Sequence, residues 1–176
     1  MDIDSVCQFL SDQQRRGEDT VLVTVCAVEG SSMRNAGTIM GVASDGSFAG
    51  SLSGGCIENA VVAEAHDVLK AGEPRMVRFG AGSPYLDIKL PCGGGLDLHF
   101  QPLGASPLAE HCLGSIKGRA PFAIRIDPAG AEHLADWHAP QFDPESATAT
   151  FGHWPAPKLQ IIGHGAGVEA LAGLAR

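Results

Sequence analysis

Val21 to Val28, VLVTVCAV, is a continuous apolar run built largely from β-branched residues. A strand alternates its side chains between two faces, so a run apolar at every position needs cover on both. It is too apolar for an edge and short enough for a buried strand. The chain is therefore predicted to fold as an α/β layer structure, a mixed sheet with flanking helices. At 176 residues, 44% hydrophobic and 18% charged, it is long and apolar enough to bury such a core.

The flanking periodicities fill in the layers. Ile3, Val6, Phe9 and Leu10 recur at helical spacing, and Gly17 supplies a stop. Thr38 to Ala43 and Phe48 to Leu52 read as a hairpin closed by Ser44-Asp45-Gly46. A helix follows, with Ile57, Val61, Val62, Ala65, Val68 and Leu69 on its apolar face and Gly72 at its end. Arg75 to Phe79 resumes strand character. Leu86, Ile88 and Leu90 alternate, as do Leu96, Leu98 and Phe100, with Pro91 to Gly95 as a corner between two strands. Leu108 to Ile116 is expected to be a helix and Phe122 to Ile126 a strand. Asp127 to Pro157 should hold short strands joined by loops, and Lys158 to Ile162 a strand running into a final helix.

Net charge bounds the partners. Twelve basic residues against 20 acidic give −8, which argues against binding long nucleic acid by phosphate neutralisation, though a local pocket for a small anion is compatible with it. No apolar run is long enough to span a bilayer, and the N-terminus lacks the basic region of a signal peptide, so a cytoplasmic location is expected. The five cysteines, Cys7, Cys26, Cys56, Cys92 and Cys112, are accordingly expected as thiols. No CxxC occurs, and the seven histidines show no metal-ligand spacing. Cys7 and Cys26 fall on apolar faces.

Glycine supplies 23 of the residues, about twice ordinary usage, and it clusters. In SLSGGCIE, Ser51 to Glu58, a strand passes through Ser53, Gly54, Gly55 and Cys56 into a helix. Unpaired backbone N–H groups and the positive end of the helix dipole then share one small space, suited to an anion and to a stabilised Cys56 thiolate. The alternative is a tight turn with Cys56 packed as a small apolar residue and Glu58 as a dipole partner. In PCGGG, Cys92 is followed by Gly93 and Gly94. Successive glycines suggest close approach of backbone to a ligand, or else a flexible corner. Arg34, in GSSMRNAG, is a candidate clamp for phosphate or carboxylate, or a solvated surface arginine. After the last strand, Gly163 to Gly167 (GHGAG) is similar to a dinucleotide fingerprint. Only the register Gly165, Gly167, Ala170 satisfies GxGxx(G/A).

SGGCxE, LPCGGG and GHGAG together resemble the XdhC/CoxI family of accessory proteins for molybdenum hydroxylases such as xanthine dehydrogenase. The resemblance implies a cofactor-handling domain over residues 1–157 and, from 158 to 176, the start of a Rossmann-like domain that these residues do not finish. It implies a maturation chaperone rather than a turnover enzyme. Such a chaperone binds molybdenum cofactor, as molybdopterin or its dinucleotide form, assists its sulfuration with a cysteine desulfurase, and inserts it into a molybdoenzyme apoprotein. By position, Arg34, Ser53, Gly54, Gly55, Cys56, Cys92, Gly93 and Gly94 fall in the cofactor-handling region. Cys56 and Cys92 would be molybdenum contacts, with Cys56 a sulfur relay, and Gly163 and Gly165 would meet a dinucleotide. Met33 stands where the family has proline in its SSPR element. Homodimer formation through the apolar strand Leu159 to Ile162 is expected. Two other readings stay open: an NAD(P)-dependent oxidoreductase using GHGAG, and a thiol redox protein.

Overall fold

The computed structural model describes residues 3–83, 90, 93–158 and 160–174. Its first helix, α1 (Ile3–Arg15), precedes the apolar run, which forms β1 (Thr20–Glu29). The expected hairpin is β2 (Ile39–Ala43) with β3 (Phe48–Gly50), and α2 (Glu58–Ala71) ends at Gly72, whose φ of 72° closes the last turn. β4 (Arg75–Gly80) and β5 (Gly95–Pro102) complete a five-stranded sheet in the order β3-β2-β1-β5-β4. β1 is central, as its composition requires. Its neighbours β2 and β5 both run antiparallel to it, with Val23 opposite Met40 on one side and Phe100 on the other.

The alternation of β1 divides the core. Val21, Val23 and Val25 pack with Val61, Ala65 and Val68 of α2, while Leu22 joins Leu10 of α1 on the opposite face. That second face also receives α3 (Leu108–Gly118) and a second sheet of β6 (Phe122–Asp127), β7 (Gly130–Leu134), β8 (Gln141–Asp143) and β9 (Thr148–His153). Its order is β7-β6-β9-β8, again antiparallel. The α/β class and flanking helices are those expected. The strands expected to share one mixed sheet instead form two antiparallel ones, because hairpin-type links join most of them.

Two expectations for the chain's later parts fare differently. The strand over Leu86, Ile88 and Leu90 lies outside the described residues apart from Leu90, which is buried. The final helix is present as α4 (Ala166–Leu174), but Lys158 and Gln160 to Ile162 form no strand. A strand exists only by pairing, and these residues pair with none of the nine described strands. Ile162 is accordingly 87% exposed.

Candidate functional site

Antiparallel pairing gathers the glycine-rich loops. β1 ends at Glu29, β2 starts at Ile39, β3 ends at Gly50, β4 ends at Gly80 and β5 starts at Gly95, so all five termini meet at one end of the first sheet. The loop after β1 lies between the other two. Met33 rests against Gly54, its sulfur 3.6 Å from where a Cβ on Gly54 would stand. On the other side, a Cβ on Gly94 would fall 2.4 Å from the Ser31 carbonyl oxygen and 2.7 Å from that of Glu29.

The close approach expected of Gly94 is thus to the chain's own backbone. Gly94→Ala is expected to cost roughly 2–3 kcal/mol, because the Glu29 residue is held in the β1–β5 register opposite Gly95 and both contacts are with backbone rather than a flexible side chain. At Gly93, φ is 72° and nothing lies within 4 Å of an added Cβ, so Gly93→Ala should cost only about 1–2 kcal/mol of left-handed strain. Urea unfolding of the two variants checks the ranking. Cys92, expected as a cofactor contact, lies outside the described residues.

The loop from Ser51 to Ile57 does hold an anion at the start of a helix, and the anion is Glu58. One carboxylate oxygen accepts from the Ser51 hydroxyl at 2.9 Å and from the amides of Leu52 at 3.0 Å and Ser53 at 2.9 Å. The other accepts from the Ser53 hydroxyl at 2.8 Å and from the amides of Gly55 at 2.9 Å and Ile57 at 3.2 Å. The two remaining amides are taken by serine: Gly54 donates to Ser51 Oγ and Cys56 to Ser53 Oγ, each at 3.0 Å. Burial works to raise the Glu58 pKa, yet the Ser53 amide and hydroxyl and the Ser51 hydroxyl outweigh it and hold the carboxyl down at about 2. The amides expected to be free for a ligand are therefore committed, and so is the Ser53 hydroxyl. Gly54 and Gly55, at φ of 82° and 110°, make the bend that lets one carboxylate reach them.

This bracing leaves Cys56 outside. It is a free, exposed cysteine, whereas Cys7, Cys26 and Cys112 are buried. Burial pushes the Cys26 thiol up to about 12, and contact with Cys7 together with burial raises that of Cys112, so these are core groups. The alternative of Cys56 packed as a small apolar residue is excluded by its exposure. Beside it, a Cβ on Gly55 would meet nothing within 4 Å.

Arg34 is placed by its own amide, which donates to Ser32 Oγ at 3.1 Å. It lines a cleft with Thr38 and, from β9, Phe151 and His153. His153 carried no signal in the sequence, since nothing local distinguishes it from the other histidines. Gly163 and Gly165 precede α4 in a stretch where no described residue from 154 to 174 is buried. Among the described residues, no three His, Cys, Asp or Glu side chains converge to hold a metal ion, and no helix is long and apolar enough to cross a membrane.

Comparison with known proteins bears on this arrangement. The XdhC and CoxI family profile matches residues 13–80, the stretch from α1 to the end of β4 that includes the Glu58-braced loop. The molybdenum cofactor insertion chaperone PaoD of Escherichia coli (strain K12) is 32% identical over 178 aligned positions, taking in 97% of this chain. Over residues 13–80 the chain carries the XdhC and CoxI family profile. It spans about half the length of that curated relative, 54%. A solved structure described as a xanthine dehydrogenase from Bacillus halodurans shares the fold, with a TM-score of 0.62 and 22% identity over 86% of this chain and 53% of the other. Residues Ser51, Ser53 and Glu58 thus shape the SGGCxE element, which lies inside the stretch matched by the family profile, and Cys56 is the member left facing outward.

Proposed function

We propose that this chain is the cofactor-holding part of a molybdenum cofactor insertion chaperone. The observation that carries the reading is the exposed Cys56 thiol, held on a loop whose amides are already satisfied, at the sheet end where the loops containing Met33 and Gly94 converge. A soft thiol is the donor type suited to a dithiolene-bound molybdenum, and the bare positions at Gly55 and Gly93 leave room for a bulky cargo. The cofactor is cargo here. The chain's residues would bind it, keep it from water and release it to a molybdoenzyme apoprotein, the kind of role named for PaoD.

An exposed thiol also suits sulfur transfer. The Cys56 thiolate would attack the terminal sulfur of a cysteine desulfurase persulfide, forming a Cys56 persulfide and releasing the desulfurase thiolate. Residues 1–157 would form the cofactor-handling domain and 158–176 the start of a Rossmann-like one. The lack of burial beyond His153 supports a boundary there.

Purified chain should bind molybdopterin, and Cys56→Ala should weaken that binding by about tenfold or more, the effect of losing one charge-assisted or metal-directed contact. Bound pterin is read by its fluorescence after oxidative release. Equal binding by wild type and variant would remove Cys56 from the site.

A further inference from the structure

The cleft beside Arg34 shares no lining residue with the Cys56 loop and has its own chemistry. Its volume is about 330 Å³, and its walls come from the segment leading into β2 on one side and from β9 of the second sheet on the other. In a chain of net charge −8, none of the described residues lining it is acidic. Arg15, Arg75, Arg78 and Arg125 each pair with a carboxylate, whereas Arg34 has no such partner among the described residues. Arg34 Nε and His153 Nε2 are both cut off from solvent without a hydrogen-bond partner. Buried polar nitrogens left in this way are uncommon, and both belong to residues that line one cleft, so a ligand that shifted the packing over them would complete them.

We propose that this cleft binds the phosphate group of a small phosphate monoester through Arg34 and His153. A guanidinium offers a fork of donors matched to phosphate oxygens, and an imidazole carried by a different sheet meets an oxygen directed elsewhere. Tetrahedral phosphate presents oxygens to both walls, whereas a planar carboxylate presents its two to one side. A cleft of this size also takes more than the bare ion, which fits a monoester rather than free phosphate alone.

The protein carries its own reporter. Its two tryptophans are Trp137 and Trp154, with ring centroids 5.9 Å apart. Gly152 lines the cleft, and a Cβ there would fall 2.4 Å from Trp137 Nε1; Trp154 follows His153 directly.

Inorganic phosphate, titrated against chloride at matched ionic strength, should change tryptophan fluorescence saturably in the wild type. Arg34→Ala should weaken the response roughly tenfold, and Arg34→Lys should retain more of it, since the charge remains while the fork is lost. Circular dichroism confirms that each variant is folded, and His153→Gln serves as a second variant on the other wall, expected to weaken binding as well. A wild type with no saturable response beyond chloride, or an Arg34→Ala variant that binds phosphate as the wild type does, overturns the site. Competition identifies the source: displacement by molybdopterin assigns the cleft to the cofactor's own phosphate, and displacement by glycerol 3-phosphate alone assigns it to another monoester. Either supports the site. Failure of the Cys56 reading leaves the phosphate titration unaffected, so the two are told apart.

Discussion

Glu58→Ala is expected to destabilise the protein by about 3–4 kcal/mol, a large loss for a single polar substitution. Glu58 is 5% exposed, and its carboxylate serves the amides of Leu52, Ser53, Gly55 and Ile57 together with two serine hydroxyls. Truncation leaves those donors without an acceptor in a place water reaches poorly. Glu58→Gln keeps one accepting oxygen and turns the other into a donor facing donors, so about 2 kcal/mol is expected. Chemical denaturation gives both values. Because the loop carries Cys56, a folded Glu58→Gln protein should also show faster alkylation of that thiol as the loop loosens. An alanine variant as stable as the wild type would mean that the loop holds its shape by other means.

The second large effect is acid destabilisation through His99 and His153. Burial holds each imidazole at about 4 against the ordinary 6.5, with Asp127 opposing weakly at His99. A buried neutral histidine binds its proton more weakly folded than unfolded. The unfolded chain therefore takes up more protons between pH 6.5 and 4, and stability falls as pH falls through that window. Each histidine contributes about 3 kcal/mol when the difference is complete, a sum comparable with the whole stability of an ordinary domain. Glu58 acts lower down: its contribution is intact above about 4.5 and lost as pH falls toward 2. The melting temperature is thus expected to drop steeply between pH 6 and 4.5, and His99→Gln with His153→Gln should flatten that part of the profile. A wild-type profile already flat there would show that both imidazoles accept protons in the fold. Phosphate bound at His153 should soften the loss, since an anion favours the imidazolium.

Much of the architecture was legible because it follows from local chemistry. Val21 to Val28 could only be an interior strand, and β1 is the central one. Gly72 could end α2 with a positive φ, and it does. The hairpin β2–β3 follows from its turn residues. Lys158 to Ile162 shows the limit of such reasoning: its residues favour a strand, but pairing is a property of two segments, and no described strand lies alongside.

For the site, residue types in SGGCxE marked the right loop but not the division of labour within it. That an anion should sit at the start of α2 follows from the sequence. Which anion it is depends on Glu58 reaching back over Gly54 and Gly55, and so on two left-handed glycines in three dimensions. Likewise Gly94 signalled close approach, while only the pairing of β1 with β5 decided that the approaching group is the backbone at Glu29 and Ser31. The sequence by itself determined the α/β class, the central strand, the family resemblance and the exceptional loops, because these depend on periodicity and on short motifs. The tertiary structure alone decided that Cys56 is exposed and Cys112 is core like Cys7 and Cys26, whose apolar faces the sequence shows, and that Arg34 and His153 line one cleft. The reason is that burial and the meeting of distant side chains are set by how two sheets pack, which no local spacing records.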